Sequence, residues 1–346
     1  MAALGHEVTC YDRSGADVMT GESTGSSERF VDGVRIVPVR TIDKKGLAAL
    51  SSSYFATRAA IKDKPDVIHY HAEGPCVPLP LAKLAGIRTV ATIHGLDWQR
   101  AKWGKLASTY IKMGEKAAAT KADGLIVLSS TAKDYFRSTY GAEAVVIPNG
   151  IEARKPLPAS EIATRWGLQK DSYILYLGRL VPEKRADLLI DAFSRLNTNM
   201  HLVIAGGGSD TSGFEASLRQ QTASDGRVIF TGFVTGRPLA ELYSNAYAYV
   251  LPSDVEGMPL SLLEAMSYRC CCVTSDIPEC ADVLAGSGRT FKHGDADDLL
   301  RVLASLIDAP EFAGDLGEAA KTRVLSTYDW DSVVERTLEI YRGDVR

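Results

Sequence analysis

Apolar and polar positions along the chain follow two alternating periods. Short runs rich in β-branched and aromatic residues, HEVTCYD, VRIVPVRT, DVIHYH, RTVATIHG, GLIVLS and AVVIPNG, predict strands in the first half, with helical periodicity filling most of the gaps. The second half repeats the alternation. There SYILYLG, HLVIAGG, RVIFTGF, AYAYVLP and CCCVTSD read as strands, and ADLLIDAFSRL, GFEASLRQQTA, LAELYSNA and LSLLEAMS as helices. Nearly continuous apolar strands separated by helices predict an α/β fold, with parallel sheets covered by helices in two Rossmann-like domains. The boundary falls in NGIEARKPLPASE, where Gly150, Pro156 and Pro158 interrupt the periodicity, giving domains at 1–150 and 151–330. Residues 331–346 hold a last helix, SVVERTLEIYR, expected to return toward the first domain.

Ligands of open parallel sheets lie beyond the carboxyl ends of the strands, so two facing domains would present their functional loops across one cleft. The first domain opens unusually. Leu4-Gly5-His6 reads as the last turn of a helix before the strand EVTCYD, so a first strand with its Gly-rich turn is not among the predicted elements. An incomplete first domain with a gap between neighbouring strands is the expectation.

Composition narrows the function. Of 346 residues, 45% are hydrophobic and 24% charged, which excludes a disordered, collagen-like or coiled-coil chain. The net charge of −4 gives no whole-molecule attraction to nucleic acid. Residues 1–150 carry 19 basic and 15 acidic side chains and the remainder 20 and 28, so the first half is the one suited to an anionic partner. No apolar run of about 18 residues predicts a membrane-spanning helix, and MAALGHEVTCY lacks the marks of a signal peptide, so a cytoplasmic location is expected. Six cysteines without a C-x-x-C pair point to reduced thiols. The triplet Cys270, Cys271 and Cys272 reads as small core hydrophobes, with a metal or redox site as the other reading.

The densest chemistry lies in PSDVEGMPLSLLEAM, residues 252–266. Glu256 occupies a turn and Glu264 lies eight residues later on the following helix. Gly257 through Ser261 form a turn into a helix N-terminus, whose unpaired N–H groups suit an anionic phosphate. Glu264 could accept from vicinal hydroxyls such as those of a ribose, and Glu256 could address a sugar. Two carboxylates alone would more readily be a capping acid and an exposed helix acid. Upstream, YLGRLVPEKR places Arg179 and Lys184 after a strand, where two cations could neutralise a diphosphate leaving group without a metal.

With these motifs the chain resembles the retaining nucleotide-sugar glycosyltransferases of family 4, which have the GT-B fold. The resemblance rests on Gly178, Arg179 and Lys184; on Glu256 and Glu264 with GMPLSLL between them; on Pro148-Asn149-Gly150; and on His94-Gly95 after a strand. Weaker similarities are Gly206 to Gly208 in AGGGSD, Gly232 and Phe233 in TGFV, and Asp276 and Glu279 in TSDIPE. The resemblance implies a hexosyltransferase with Arg179 and Lys184 on the donor diphosphate, Glu264 on the ribose and Glu256 on the transferred sugar. It adds donor contacts from Gly178 and from the backbone of Gly257, Met258, Pro259 and Leu260, and places His94 by the donor sugar. It implies retention of anomeric configuration, a UDP- or GDP-sugar donor, and no cofactor or metal.

Residues 94–121 are similar to a subgroup working on surface polysaccharides, with a glycan or lipid-linked acceptor that Asp97 and Trp98 could border. From residue 98 to 121 six bases, Arg100, Lys102, Lys105, Lys112, Lys116 and Lys121, face one acid, Glu115. With Trp98, Trp103 and Tyr110 this segment suits the anionic inner face of a membrane, or equally a solvated helix face. His69 and His71 alternate on a strand end without an evident third metal ligand and read as structural or acceptor-side residues. Asp123 and Ser129 read as architecture. A catalytically silent donor-binding homologue and a GT-B sugar-nucleotide epimerase are the alternative functions. A dinucleotide dehydrogenase is disfavoured, because AGGGSD lacks the G-x-G-x-x-G spacing.

Overall fold

The computed structural model describes residues 1–14, 27–42, 47–96, 98, 104–207 and 212–344. The chain forms two compact units, Met1–Pro148 with Asp331–Arg346, and Asn149–Trp330.

In the first unit β1 (Val8–Arg13), β2 (Arg29–Val31) and β3 (Val34–Val39) make a sheet in the order β1-β3-β2. β1 and β3 are parallel, but β2 and β3 form an antiparallel hairpin that departs from the all-parallel expectation. Asp32 and Gly33, with φ of 48° and 81°, supply the two-residue turn whose twist suits a hairpin. There follow α1 (Ala48–Asp63), β4 (Val67–His71), α2 (Leu79–Leu84), β5 (Arg88–Ile93), α3 (Lys105–Lys121), β6 (Gly124–Val127), α4 (Ser130–Tyr140) and β7 (Val145–Val146). Strands β4 to β7 form a second, wholly parallel sheet in chain order. Among the described residues β1 pairs only with β3 and β4 only with β5, so each ends its sheet and the two sheets do not join. Helix α1 packs on β1, on β3 and on the single 3-10 turn Gly74–Cys76 that follows β4, and so ties both sheets together.

The second unit contains α5 (Glu161–Trp166), β8 (Tyr173–Leu177), α6 (Ala186–Ser194), β9 (His201–Ala205), α7 (Ser212–Gln221), β10 (Val228–Gly232) and α8 (Gly236–Asn245). It continues with β11 (Ala248–Leu251), α9 (Leu260–Ser267), β12 (Cys271–Ser275), α10 (Pro278–Leu284), β13 (Arg289–Phe291), α11 (Ala296–Ile307) and α12 (Pro310–Thr327). Its six strands run β10-β9-β8-β11-β12-β13 with every pairing parallel. Counted from its own first strand the order is 3-2-1-4-5-6, which reverses direction between β8 and β11. That reversal decides where a ligand can sit. Strands β11 and β12 are buried throughout, which explains their unbroken apolar sequence. Cys270, Cys271 and Cys272 pack within this core as free thiols, and burial pushes the Cys271 thiol up to about 12.

Helix α13 (Trp330–Arg342) packs, from Asp331 onward, with the first unit. Arg88 donates to the Ile340 carbonyl (2.8 Å), Arg336 to the Val146 carbonyl (2.6 Å), and Tyr341 meets His69 (2.7 Å). A Cβ on Gly124 would stand 2.4 Å from the Ile340 side chain, so glycine is what lets the helix approach β6.

Candidate active site

The two loops at the strand reversal of the second unit carry the candidate residues. After β8 come Gly178, Arg179 and the 3-10 turn Pro182–Lys184; after β11 comes the segment 252–259 leading into α9. Glycine is required where the first loop meets its neighbour after β9. Gly206 has φ of 141°, and a Cβ there would lie 1.9 Å from the Gly178 carbonyl oxygen. The Gly178 amide donates to Ala205 O (3.0 Å) and the Leu180 amide to Gly207 O (3.1 Å), which fixes the path of the basic loop. Gly208, Ser209 and Asp210 lie outside the described residues.

Lys184 and Glu256 form a direct, mostly buried ion pair, their side chains 18% and 7% exposed. Glu256 also accepts from the Ser253 hydroxyl (2.7 Å), and the Ser253 carbonyl accepts from Ser275 (2.6 Å). The loops are joined again one residue on: the Asp254 amide donates to Glu183 O (2.9 Å), and its carboxylate accepts from Arg185 (3.2 Å) and bonds His293 (2.8 Å). Among the described residues the Arg179 guanidinium has no hydrogen-bond or ion-pair partner. Burial pushes the Cys280 thiol well up, with the Glu256 charge adding to it, and burial likewise raises Glu279.

Helix α9 begins after Pro259. Leu262 and Leu263 make the first bonds back to the Pro259 carbonyl, so the amides of Leu260 and Ser261 precede the ladder, as an anion-accepting N-terminus requires. Gly257 and Met258 lead into this turn, and the Met258 sulfur accepts the Asn149 amide (3.1 Å). Glu264, on the second turn of α9, accepts from the Tyr243 hydroxyl (3.0 Å). Of the residues singled out from sequence, the second unit thus gathers Gly178, Arg179, Lys184, Glu256, Gly257, Met258, Pro259, Leu260 and Glu264 on two adjoining loops and one helix.

His94 belongs to the other unit, directly after β5. Its Nε2 lies 3.0 Å from Nδ1 of His71, and the rings are stacked at 5.3 Å. His69 stacks on His71 (4.2 Å) and bonds Tyr341 and Thr92, each at 2.7 Å, which makes it structural. Burial, with the neighbouring imidazoles adding to it, depresses His69 to about 3 and His71 to about 4. Asp123 and Ser129 hold the backbone: Asp123 takes the Thr89 amide (2.8 Å) and Ser129 caps α4 through the Ala132 amide (3.2 Å).

The basic segment differs from its sequence reading. Glu115 is fully buried and accepts from Trp98 (2.9 Å), Tyr135 (2.8 Å) and Tyr140 (2.6 Å). Trp98 is therefore tethered inward, with Lys112 over its ring, and Tyr110 lies near Gly74. The exposed apolar side chains of α3 are Leu106 and Met113, about two helical turns apart and flanked by Lys105, Lys112 and Lys116. Asp97, Arg100, Lys102 and Trp103 lie outside the described residues.

Sequence reasoning missed three buried tyrosines beneath the site. Tyr176 donates to Arg179 O (3.1 Å), Tyr249 to the Ser261 hydroxyl (2.8 Å), and Tyr243 to Glu264. Each sits in a run that reads simply as core.

Comparison with known proteins accounts for both units. Residues 160–323 match the family described as glycosyl transferases group 1, and residues 1–155 match glycosyltransferase family 4. Glycogen synthase of Mycobacterium tuberculosis is 29% identical over 374 aligned positions, covering 99% of this chain and 87% of the relative. Sucrose-phosphate synthase from Thermosynechococcus elongatus superposes with a TM-score of 0.82 at 21% identity, covering 99% of this chain and 90% of that one. Anabaena HepE, solved in complex with UDP and glucose, gives 0.77 at 17% identity, covering 90% of this chain and 86% of the other. The fold is that of the GT-B glycosyltransferases. The two matches together span most of the chain, which is a hexosyltransferase.

Proposed function

We propose that the protein moves a hexose from a UDP- or GDP-sugar, with retention of configuration, to a glycan or lipid-linked acceptor in surface polysaccharide synthesis. The observation that carries the donor half of this reading is the meeting of loops 178–184 and 252–259 at the strand reversal, with Lys184 against Glu256 and the α9 N-terminus alongside. In this reading Arg179, Lys184 and the amides of Leu260 and Ser261 hold the diphosphate, Glu264 the ribose, and Glu256 the sugar hydroxyls. Without donor, Lys184 and Glu256 neutralise each other; a bound diphosphate gives Lys184 a second anion and frees Glu256 to accept from the sugar. The acceptor hydroxyl attacks the anomeric carbon as its bond to the diphosphate breaks, and the departing phosphate oxygen takes the hydroxyl proton. Fixed cations that stabilise this departing charge are the main catalytic device. His94 acts on the transferred sugar.

The exposed lysines of α3 with Leu106 and Met113 support an anionic membrane as the place where a lipid-linked acceptor is met. A cytoplasmic, peripheral location follows from that reading. The test is incubation with radiolabelled UDP- and GDP-sugars and a lipid extract. Labelled lipid or glycan supports transfer; donor binding without transfer or hydrolysis indicates the catalytically silent homologue instead.

A further inference from the structure

Under Glu264 the structure holds a hydroxyl that the donor-site reading does not use. Tyr243 lies on α8, packed between elements that fix it on several sides. It is 1% exposed, its ring is stacked on Tyr268 (5.5 Å, 9°) and tilted against Tyr249 (6.0 Å), and its carbonyl accepts from the Cys270 thiol (2.9 Å). Such a ring has one available position. Its hydroxyl meets Glu264 Oε2 at 3.0 Å and, more weakly, Ser261 O at 3.3 Å.

A carboxylate on a helix surface has several rotamers, and one that must accept from a vicinal diol works best when only one is populated. The tyrosine supplies this restraint. By donating to Oε2 it occupies one carboxylate oxygen and leaves the other for a further donor; among the described residues Oε1 has no hydrogen-bond partner. Burial, the Tyr249 neighbour and the Glu264 charge all raise the phenol well above its ordinary range, so it stays a donor at every working pH.

We infer that Tyr243 is a positioning residue for nucleotide recognition, its hydroxyl orienting Glu264 toward the ribose diol of the donor. The inference rests on the proposed role of Glu264 at the ribose. It assigns Tyr243 no contact with the nucleotide itself, which separates its effect from that of any residue lining the site.

The consequence is a selective one. A tyrosine that only filled the core would, when changed to phenylalanine, leave nucleotide affinity unchanged or weaken every nucleotide alike. A tyrosine acting through Glu264 changes affinity only for nucleotides that possess the ribose hydroxyls. The experiment is calorimetric titration of the full chain and its Tyr243→Phe and Glu264→Ala variants with UDP and GDP and with their 2′,3′-dideoxy counterparts, after thermal melts confirm folding. For the nucleotide the wild type binds, Y243F is expected to weaken the ribose form about tenfold, the loss of one charge-assisted hydrogen bond, and to leave the dideoxy form unchanged. E264A is expected to show the same selectivity, larger. Equal weakening of both forms by Y243F, or an unchanged ribose form while E264A loses it, overturns the positioning role and leaves the ribose reading standing. Unchanged affinity in E264A overturns the ribose reading, and the role of Tyr243 with it. If Y243F melts early, turnover measured across donor concentrations decides: a raised donor KM with kcat retained supports the role, and kcat lost with KM unchanged contradicts it.

Discussion

In the proposed reading Arg179 and Glu264 divide the donor between them, one facing its charge and the other its ribose. Arg179→Ala should weaken nucleoside diphosphate binding by roughly 10- to 100-fold, the range for a lost hydrogen bond to a charged group, and should do so for ribose and dideoxy forms alike. Isothermal titration checks this. The histidines of the first unit carry a different expectation. His69, held on both ring nitrogens by Tyr341 and Thr92, is depressed by burial to about 3 from an ordinary 6.5. Below about pH 6.5 the unfolded chain therefore binds protons that the folded chain refuses. Its contribution is whole above that pH and is lost as pH falls toward 3, by up to about 1.4 kcal/mol per pH unit. Urea unfolding between pH 7.5 and 4.5 should show that slope, and a His69→Gln variant should flatten it; an unflattened slope contradicts the assignment. At this scale the G-R-x4-K and E-x7-E residues were legible, because local spacing fixes which loop and which helix turn they occupy. Tyr243 was not. In LAELYSNA it has the periodicity of a core residue, and only tertiary packing decides what its hydroxyl meets.

Elements were legible where their periodicity was long. LSLLEAMS is α9 and SYILYLG contains β8, while the short edge strands β2 and β13 went unread. The β2–β3 hairpin had a local signal in its Asp32-Gly33 pair, which the strand-helix alternation overshadowed. The burial of Glu115 could not be read, since α3 displays its lysines at helical spacing and the acid's three partners come from residues 98, 135 and 140. Helix α3 also has a tight seat. A Cβ on Gly114 would lie 1.8 Å from the Glu73 carbonyl oxygen, so Gly114→Ala should destabilise the protein by about 3 kcal/mol in denaturant unfolding. Its outer face makes the membrane reading testable: Lys105→Glu with Lys116→Glu should lose binding to vesicles rich in anionic lipid, each lysine being worth about 1 kcal/mol there. Unchanged sedimentation with those vesicles would remove the membrane from the proposal.

At the scale of the whole molecule, the two-unit plan followed from repeated strand-helix alternation, and the 3-2-1-4-5-6 order converts it into function. That order lies beyond periodicity, because nothing local says which strands are neighbours. Once β8 lies beside β11, the basic loop and the acidic loop must adjoin, although 72 residues separate Lys184 from Glu256. The separation of the first unit's strands into two sheets belongs to the same level. These loops are proposed to seat a nucleoside diphosphate. The most direct test is titration of the intact protein with UDP and with GDP, alongside Arg179→Ala and Glu264→Ala. Saturable binding of at least one nucleotide is expected, sharply weakened in both variants. Binding that both variants retain at wild-type strength, or no binding of either nucleotide, would contradict the proposal.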